Sequence, residues 1–294
     1  MAPPHLKRRM GALDAFVALA AADLDRLAAT LRALERRDHP EDLHRLRIGL
    51  RRLRALRWMF APVLPGAVSA RWRQMLADMM AATGPARDWD VLIDGTLQPA
   101  LVRHPRSPVL RALLDEAMMR RDTARTIMLA ELTPYRERTL PLLRRELAIL
   151  QRHCNMPDAI PVARSPLKKF ARKRVRRARR LWLARKREVA AATSQASEAT
   201  EPGMPPEFAA LANPSLHAQR IAAKRLRYAI EALAPVLPRR YRGRLLRKVA
   251  RQQQGLGAAL DAAVARRLIA TLLASAVDKA EPARSADGMA SPAY

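Results

Sequence analysis

The chain has 294 residues, of which 49% are hydrophobic, 4% are aromatic and 28% are charged, and its formal net charge at pH 7 is +28. This length and hydrophobic content are sufficient for one large or two modest folded domains, which excludes a mainly disordered chain. So large a positive charge favours an extended polyanion, an anionic membrane surface or an acidic partner as the ligand, because binding relieves the self-repulsion of the free protein.

The first hundred residues predict four helices, because apolar residues recur at helical spacing and recurrent alternating Val, Ile and Thr segments are missing. They are a helix over 10–37, a second that follows Pro40 and stops at Pro62 and Pro65, a third over 68–83, and a fourth over 88–102. Prolines set several of these limits, since proline cannot continue a helix. Asp88 is predicted to cap the fourth helix. A basic start followed by apolar residues in 1–22 is similar to a signal peptide, but Asp14 interrupts the apolar run, and the spacing favours a first helix.

The rest of the chain predicts further helices separated by polar segments. In order these are a break at 104–108, helices over about 109–132 and 135–153, a proline-rich turn at 157–166, a strongly basic helix from Leu167, a flexible loop at 193–215, a helix from about 216, helices over about 239–254 and 258–277, and a disordered tail at 282–294. Pro141 either kinks its helix or marks the true start of that helix.

One stretch occurs twice. Residues 43–65 read LHRLRIGLRRLRALRWMFAPVLP and residues 216–238 read LHAQRIAAKRLRYAIEALAPVLP, so an offset of 173 aligns twelve of twenty-three positions. The shared core is His44, Arg47, Arg51, Arg52, Leu53 and Arg54 against His217, Arg220, Lys224, Arg225, Leu226 and Arg227. This duplication predicts that one structural unit is present twice.

Helical spacing places the basic residues of each copy on one stripe, at 100° per residue. The stripes consist of His44, Arg47, Arg51 and Arg54, and of His217, Arg220, Lys224 and Arg227. A leucine-rich stripe lies about 100° away on each helix, so the basic side chains should border the core. At about 1.5 Å per residue each basic stripe is roughly 15 Å long, which suits several successive phosphates of a linear polyanion.

These duplicated His-x-x-Arg-x-x-x-(Arg/Lys)-Arg-Leu-Arg helices resemble the CHAD family, the conserved histidine α-helical domain. The turn Gly84-Pro85-Ala86-Arg87-Asp88 resembles the family's Gly-x-x-Arg-Asp turn, and its counterpart 173 residues later keeps Asp261 but has Leu260 in place of Arg87. The resemblance implies a single all-α domain over 1–281, made of two four-helix units related by a pseudo-twofold axis. The units would cover about 1–104 and 157–281, joined by a helical segment at 105–156. The resemblance also implies that inorganic polyphosphate binds in a basic central groove.

The candidate polyphosphate-binding residues come from the two motif helices, the turn and the basic helix. They are His44, Arg47, Arg51, Arg52, Arg54, Arg87, Lys169, Arg172, Arg176, His217, Arg220, Lys224, Arg225, Arg227 and Tyr228. The alternative for the histidines is to satisfy polar groups inside the fold, although duplication at one register favours phosphate. The alternative for the three residues of the basic helix is a solvated surface. An Arg excess of 47 over 8 Lys suits bidentate phosphate contacts, but a GC-rich genome produces the same bias.

Signals for catalysis are weak, so the sequence predicts a binding protein with no catalytic residues, cofactor or metal site. Gly255-Leu256-Gly257 lacks the third glycine of a dinucleotide site and follows a helix. Neither 44–54 nor 217–227 contains an Asp or Glu that could hold Mg²⁺. The same charge would also serve the alternative function, sequence-nonspecific binding of nucleic acid.

The single cysteine, Cys154, excludes an internal disulfide framework and fits a reducing compartment. Asp261, Arg266 and Arg267 interrupt the most apolar late stretch, 256–277, so no membrane insertion is predicted. The expected location is therefore the cytoplasm, where polyphosphate granules would offer the implied ligand.

Overall fold

The structure, a computed structural model, describes residues 5–154, 165–198 and 214–286. These residues are almost entirely helical, and they contain no β-strand, only an isolated bridge between Gly11 and Pro166. The prediction of an all-α fold is confirmed.

The described helices are α1 (Ala12–Arg36), α2 (Pro40–Phe60), α3 (Gly66–Ala82), α4 (Gly84–Leu92), α5 (Gln98–Arg103), α6 (Pro108–Pro134), α7 (Leu140–Cys154), α8 (Leu167–Glu198), α9 (Pro214–Ala232) and α10 (Leu246–Ala286). Three π-helical turns, at 93–97, 135–139 and 241–245, link α4 to α5, link α6 to α7 and precede α10. The two copies of the repeated stretch, in α2 and α9, are each followed by a 3-10 turn with the sequence Ala-Pro-Val.

Helix α10 differs most from the sequence-based prediction. Two helices were expected over 239–254 and 258–277, but a single helix passes through Gly255 and Gly257. A glycine inside a helix costs only about 1 kcal/mol, and packing against α4, α6 and α9 can offset this. The helix also includes 282–286, which were predicted to be a disordered tail, whereas 287–294 lie outside the described residues.

Two further limits differ from the predictions. The expected loop at 193–215 is shorter, because 193–198 belong to α8 and 214–215 to α9, while 199–213 lie outside the described residues. Asp88 does not cap a helix, because α4 already begins at Gly84 with Pro85 in its first turn. Proline is favoured there, since its missing N–H would have no partner inside the helix.

The core joins both copies of the repeated stretch. Leu46, Leu50 and Leu53 of α2 are fully buried, as are Ala223 and Leu226 of α9, and all five belong to one apolar cluster. Helix α1 packs on α2, α8 packs on α9, and α2 contacts α9 directly. The apolar stripes therefore bring the two motif helices together at the centre of the fold.

A buried carboxylate fixes α7 to α3. The indole Nε1 of Trp72, which is fully buried, donates a hydrogen bond of 2.7 Å to Glu146 Oε2. Arg71 Nε donates to the other oxygen, Glu146 Oε1, at 2.6 Å. Both oxygens of this buried carboxylate thus have donors, which buried polar groups require.

Replacing Glu146 by Ala should lower the free energy of unfolding by about 1 to 3 kcal/mol, because it leaves the buried Trp72 N–H without an acceptor. Urea denaturation followed by circular dichroism measures this change. The matched control is Glu137→Ala, which removes an exposed ion pair with Arg136 and should cost less than about 1 kcal/mol. Equal losses in the two variants would contradict a structural role for Glu146.

Candidate polyanion site

The contact between α2 and α9 brings their basic stripes together. Lys224 of α9 lies near Arg220 of its own helix and near Arg47 and Arg51 of α2. Burial, followed by these three arginines, lowers the pKa of Lys224 to about 7, whereas Asp261 acts in the opposite direction. Burial also lowers the pKa of Arg220. Four cations from two helices therefore share one partly desolvated site.

Arg47 is the most anchored of these cations. Its Nη1 donates hydrogen bonds to the backbone oxygen of Met80 at 3.0 Å and to Thr83 Oγ1 at 2.8 Å. Burial lowers the pKa of Arg47 to about 10, and its Nε is buried without a partner. Arg47 thus links α2 to the end of α3, and its Nη1 already donates to two oxygens of the protein.

Two aspartates face the basic cluster from α4 and α10. Burial raises the pKa of Asp88, while nearby Arg47 and Arg267 lower it, and Arg267 Nη2 is 3.8 Å from Asp88 Oδ2. Asp261 is close enough to raise the pKa values of both Arg220 and Lys224. Neither aspartate was predicted as a site residue, although their separation of 173 residues is the offset of the repeated stretch.

The two motif histidines have different surroundings. His44 is half-buried, and burial followed by Arg87 lowers its pKa, which favours the neutral imidazole with one N–H donor. His217 is exposed. Arg87 lies beside His44 and also 3.8 Å from Asp90, measured from Nη1 to Oδ2. The first copy therefore has an arginine beside its histidine, whereas the aligned position in the sequence of the second copy is a leucine, Leu260.

Several motif residues point away from the shared cluster. Arg52 Nη2 lies 3.1 Å from Asp23 Oδ1, and Arg227 Nε lies 3.2 Å from Glu231 Oε1, so both guanidinium groups have a carboxylate partner. The side chain of Tyr228 is buried beneath Arg227, whose guanidinium carbon is 5.1 Å from the ring centroid. These three residues were predicted to bind the ligand, but their partners in the fold leave them less available to it.

The basic surface continues along α2 beyond the predicted stripe. Burial, followed by exposed Arg54, lowers the pKa of Arg225, and the guanidinium carbon of Arg225 lies 5.1 Å from the ring centroid of Trp58. Arg57 is one helical turn further on and donates from Nη1 to Ser69 Oγ at 3.1 Å. Burial lowers the pKa of Arg57, with nearby Arg73 of α3 acting in the same direction. Arg57 was not predicted as a site residue, although it follows Arg54 by one turn on the same helix.

The three candidates on α8 lie elsewhere. Lys169, Arg172 and Arg176 line a cavity whose other walls include Arg8 and Arg9 of the N-terminal segment. None of the residues that line this cavity belongs to α2 or α9. The structure therefore groups these side chains with the N-terminal segment.

Two further observations concern the described ranges as a whole. Within 5–154, 165–198 and 214–286, no three or more His, Cys, Asp or Glu side chains come together as a possible metal site. In the same ranges, every helix is too short or too polar to span a bilayer.

The depressed pKa of Lys224 makes a prediction about stability. The ordinary pKa is 10.5 and the folded value is about 7, so between these pH values the unfolded chain binds more protons than the folded one. Charged Lys224 therefore lowers the free energy of unfolding most at low pH, and this destabilising effect should decline as the pH rises through this window. Lys224→Met should stabilise the protein most at pH 6 and progressively less toward pH 10, as measured by urea denaturation.

The same substitution at Lys186, an exposed residue of α8, is the control and should have an effect that changes little with pH. A stabilisation by Lys224→Met that is constant from pH 6 to pH 10 would show that Lys224 is charged throughout.

Comparison with family models identifies the family of this chain, and two solved structures share its fold. The model of the CHAD domain family matches residues 18–270. The structure is similar to the crystal structure of the CHAD domain from the plant Ricinus communis, with a TM-score of 0.66 and 24% identity over 98% of this chain and 88% of that chain. It is also similar to PptA from Streptomyces chartreusis, with a TM-score of 0.56 and 18% identity over 90% of this chain and 86% of that chain. No curated protein matches the chain. The family model covers most of the chain, so this chain belongs to the CHAD domain family, as the sequence of the motif helices predicted.

Proposed function

We propose that this protein binds inorganic polyphosphate at the contact between α2 and α9. The observation that carries the proposal is the convergence of Arg47, Arg51, Arg220 and Lys224 in a partly buried site that contains fewer carboxylates than cations. Membership of the CHAD domain family supports the same ligand, because the resemblance of the motif helices implies it.

Desolvation makes this cluster a better anion site than an equal charge on the surface. The fold has already removed part of the water around Lys224 and Arg220, and the remaining repulsion between the cations is unfavourable until an anion enters. A charge-assisted hydrogen bond in such a place contributes about 1.5 to 3 kcal/mol, against roughly 1 kcal/mol or less for an exposed ion pair. An anion that reaches several of these groups at once should therefore bind tightly.

The linear arrangement of the cations favours a polymer over a single phosphate. Along α2, basic residues recur from Arg47 through Arg51 and Arg54 to Arg57, a distance of roughly 15 Å at about 1.5 Å per residue. One phosphate ion cannot contact all of them. A thin phosphate chain can place successive charges along this row, whereas a duplex carries its phosphates on a broad, stiff surface.

We infer that the protein binds polyphosphate without catalysing its hydrolysis or transfer. The stretches from His44 to Arg54 and from His217 to Arg227 contain no carboxylate. Asp88 and Asp261 lie near the cluster, but among the described residues they belong to no group of three or more His, Cys, Asp or Glu that could hold Mg²⁺ next to a bound phosphate. The role we propose is to hold the polymer, with polyphosphate granules in the cytoplasm as the place of action.

Long-chain polyphosphate should outcompete duplex DNA and RNA at physiological salt by at least about tenfold, or roughly 1.4 kcal/mol, at equal phosphate concentration. Displacement of a labelled polyphosphate probe, measured by fluorescence anisotropy, gives the ratio. All three ligands should weaken as salt increases, so the comparison is made at one salt concentration. Equal affinities would favour the alternative function, nonspecific binding of nucleic acid.

Replacing Arg51, Arg54, Arg220 and Lys224 by Gln should weaken polyphosphate binding by at least about tenfold more than an equal loss of charge elsewhere, because these residues make directed contacts at the site. Arg47 is left intact because it also hydrogen-bonds the end of α3. Isothermal titration calorimetry measures the affinities, and circular dichroism checks that each variant is folded.

The matched control replaces four exposed basic residues of α8 by Gln, namely Arg177, Arg179, Lys186 and Arg187. Both variants lose four basic side chains, although Lys224, with a pKa of about 7, carries only part of a charge near neutral pH. Similar losses of affinity in the two folded variants would mean that net charge alone sets binding and that the α2–α9 contact is not the site.

A further inference from the structure

A second basic concavity lies between the N-terminal segment and the start of α8. Its volume is about 710 Å³, and eight of the nine residues that line it are Arg or Lys, the ninth being Pro166. Among them are Arg8, Arg9, Lys169 and Lys173. So many like charges around one cavity repel each other, and this repulsion is relieved only when anions enter.

The walls of this cavity are held in place by backbone hydrogen bonds. The N–H of Leu167 donates to the backbone oxygen of Met10 at 2.9 Å, and the N–H of Lys168 donates to that of Arg8 at 3.2 Å. Leu6 is buried in the main core, and the ring of Phe170 stacks on Phe60 at 5.1 Å between centroids. Arg8 and Arg9 are therefore fixed beside the first turns of α8.

The cations on α8 form a straight row. Lys169, Lys173, Arg176 and Arg180 follow each other at intervals of four, three and four residues, which keeps them on one face of the helix. At about 1.5 Å per residue the row is roughly 17 Å long. Like the stripes on α2 and α9, this row has the shape of a site for a linear polyanion.

Helix α8 itself separates this cavity from the α2–α9 site. The opposite face of α8 is buried, where Arg174 Nη2 donates to the backbone oxygen of Trp58 at 2.8 Å, and Ala178 and Trp182 belong to the core. An α-helix with its side chains is about 10 Å across, so the two basic sites lie on different sides of one helix. Arg8 and Arg9 also precede residue 18, where the match to the family model begins.

We propose that this cavity is a second binding site for polyphosphate, separate from the α2–α9 site, so that each protein molecule has two places at which the polymer binds. The identity of the polymer rests on the proposed function. The second site depends on this chain's own N-terminal arginines and on the row of cations along α8.

Lysine footprinting tests the second site, because the chain has only eight lysines and they report on different places. Lys169 and Lys173 line the cavity, Lys224 reports on the α2–α9 site, and Lys186 is exposed on α8 outside the cavity. The full-length protein is acylated with an amine-reactive reagent with and without long-chain polyphosphate, and mass spectrometry follows each lysine. When the free polyphosphate concentration is about ten times the dissociation constant, labelling of Lys169 and Lys173 should fall by about tenfold, while labelling of Lys186 should change by less than about twofold.

The folded variant that lacks Arg51, Arg54, Arg220 and Lys224 makes the test specific. Protection of Lys169 and Lys173 should persist in this variant, since the cavity binds on its own. Loss of that protection would mean that the polymer reaches α8 only from the α2–α9 site, and the second site would be wrong.

The remaining outcomes separate the two proposals. If Lys224 is protected but Lys169 and Lys173 react as Lys186 does, there is no second site and the proposed function stands. Equal protection of Lys186 and the cavity lysines would mean that polyphosphate binds α8 through nonspecific charge attraction, and the second site would be wrong. If polyphosphate protects none of these lysines, the proposed function fails together with the second site.

A second variant measures the affinity of the cavity. Arg9, Lys169, Lys173 and Arg180 are exposed and can be replaced by Gln, whereas Arg176 is left intact because it hydrogen-bonds the buried Tyr241. Calorimetry with a short polyphosphate should find two binding events in the wild type and one in this variant. A single event in both proteins would overturn the second site.

Discussion

The contact between α2 and α9 is the constraint on which the proposed site depends. Leucines of α2 and the apolar residues of α9 pack into one core, and burying each leucine side chain contributes about 1.5 to 3 kcal/mol. The same packing forces the adjacent basic stripes toward each other and lowers the pKa of Lys224 to about 7. Hydrophobic burial thus holds together cations that would separate in water, and the resulting cluster is the site that we propose for anions.

Carboxylate partners divide the arginines of this chain into two groups. Arg52 and Arg227 face Asp23 and Glu231, so much of their charge is balanced within the protein. Among the residues that the structure describes, Asp88 and Asp261 are the carboxylates near the several cations around Lys224. With 55 basic and 27 acidic residues, the chain cannot balance every cation. Which arginines stay unbalanced therefore sets where we propose that a polyanion binds.

Helix limits were predictable where proline marks them and less so where glycine does. The ends of α2 and α9 follow from the Ala-Pro-Val turns, because proline cannot continue a helix. Gly255 and Gly257 suggested a break that α10 does not have, since glycine only weakens a helix and packing can offset the cost. Asp88 suggested a cap, but the proline at 85 starts α4 a full turn earlier.

The sequence by itself determined the fold class, the family and the register of the two basic stripes, because helical periodicity is a local property and the duplication is visible in the letters. Only the tertiary structure decided which cations meet. It placed Arg51 beside Lys224 and brought Asp88 and Asp261 to the same cluster. It also put Lys169 with Arg8 and Arg9, on the face of α8 opposite the core. Burial and the distances between charges on different helices set these outcomes, and both depend on contacts between residues far apart in the chain.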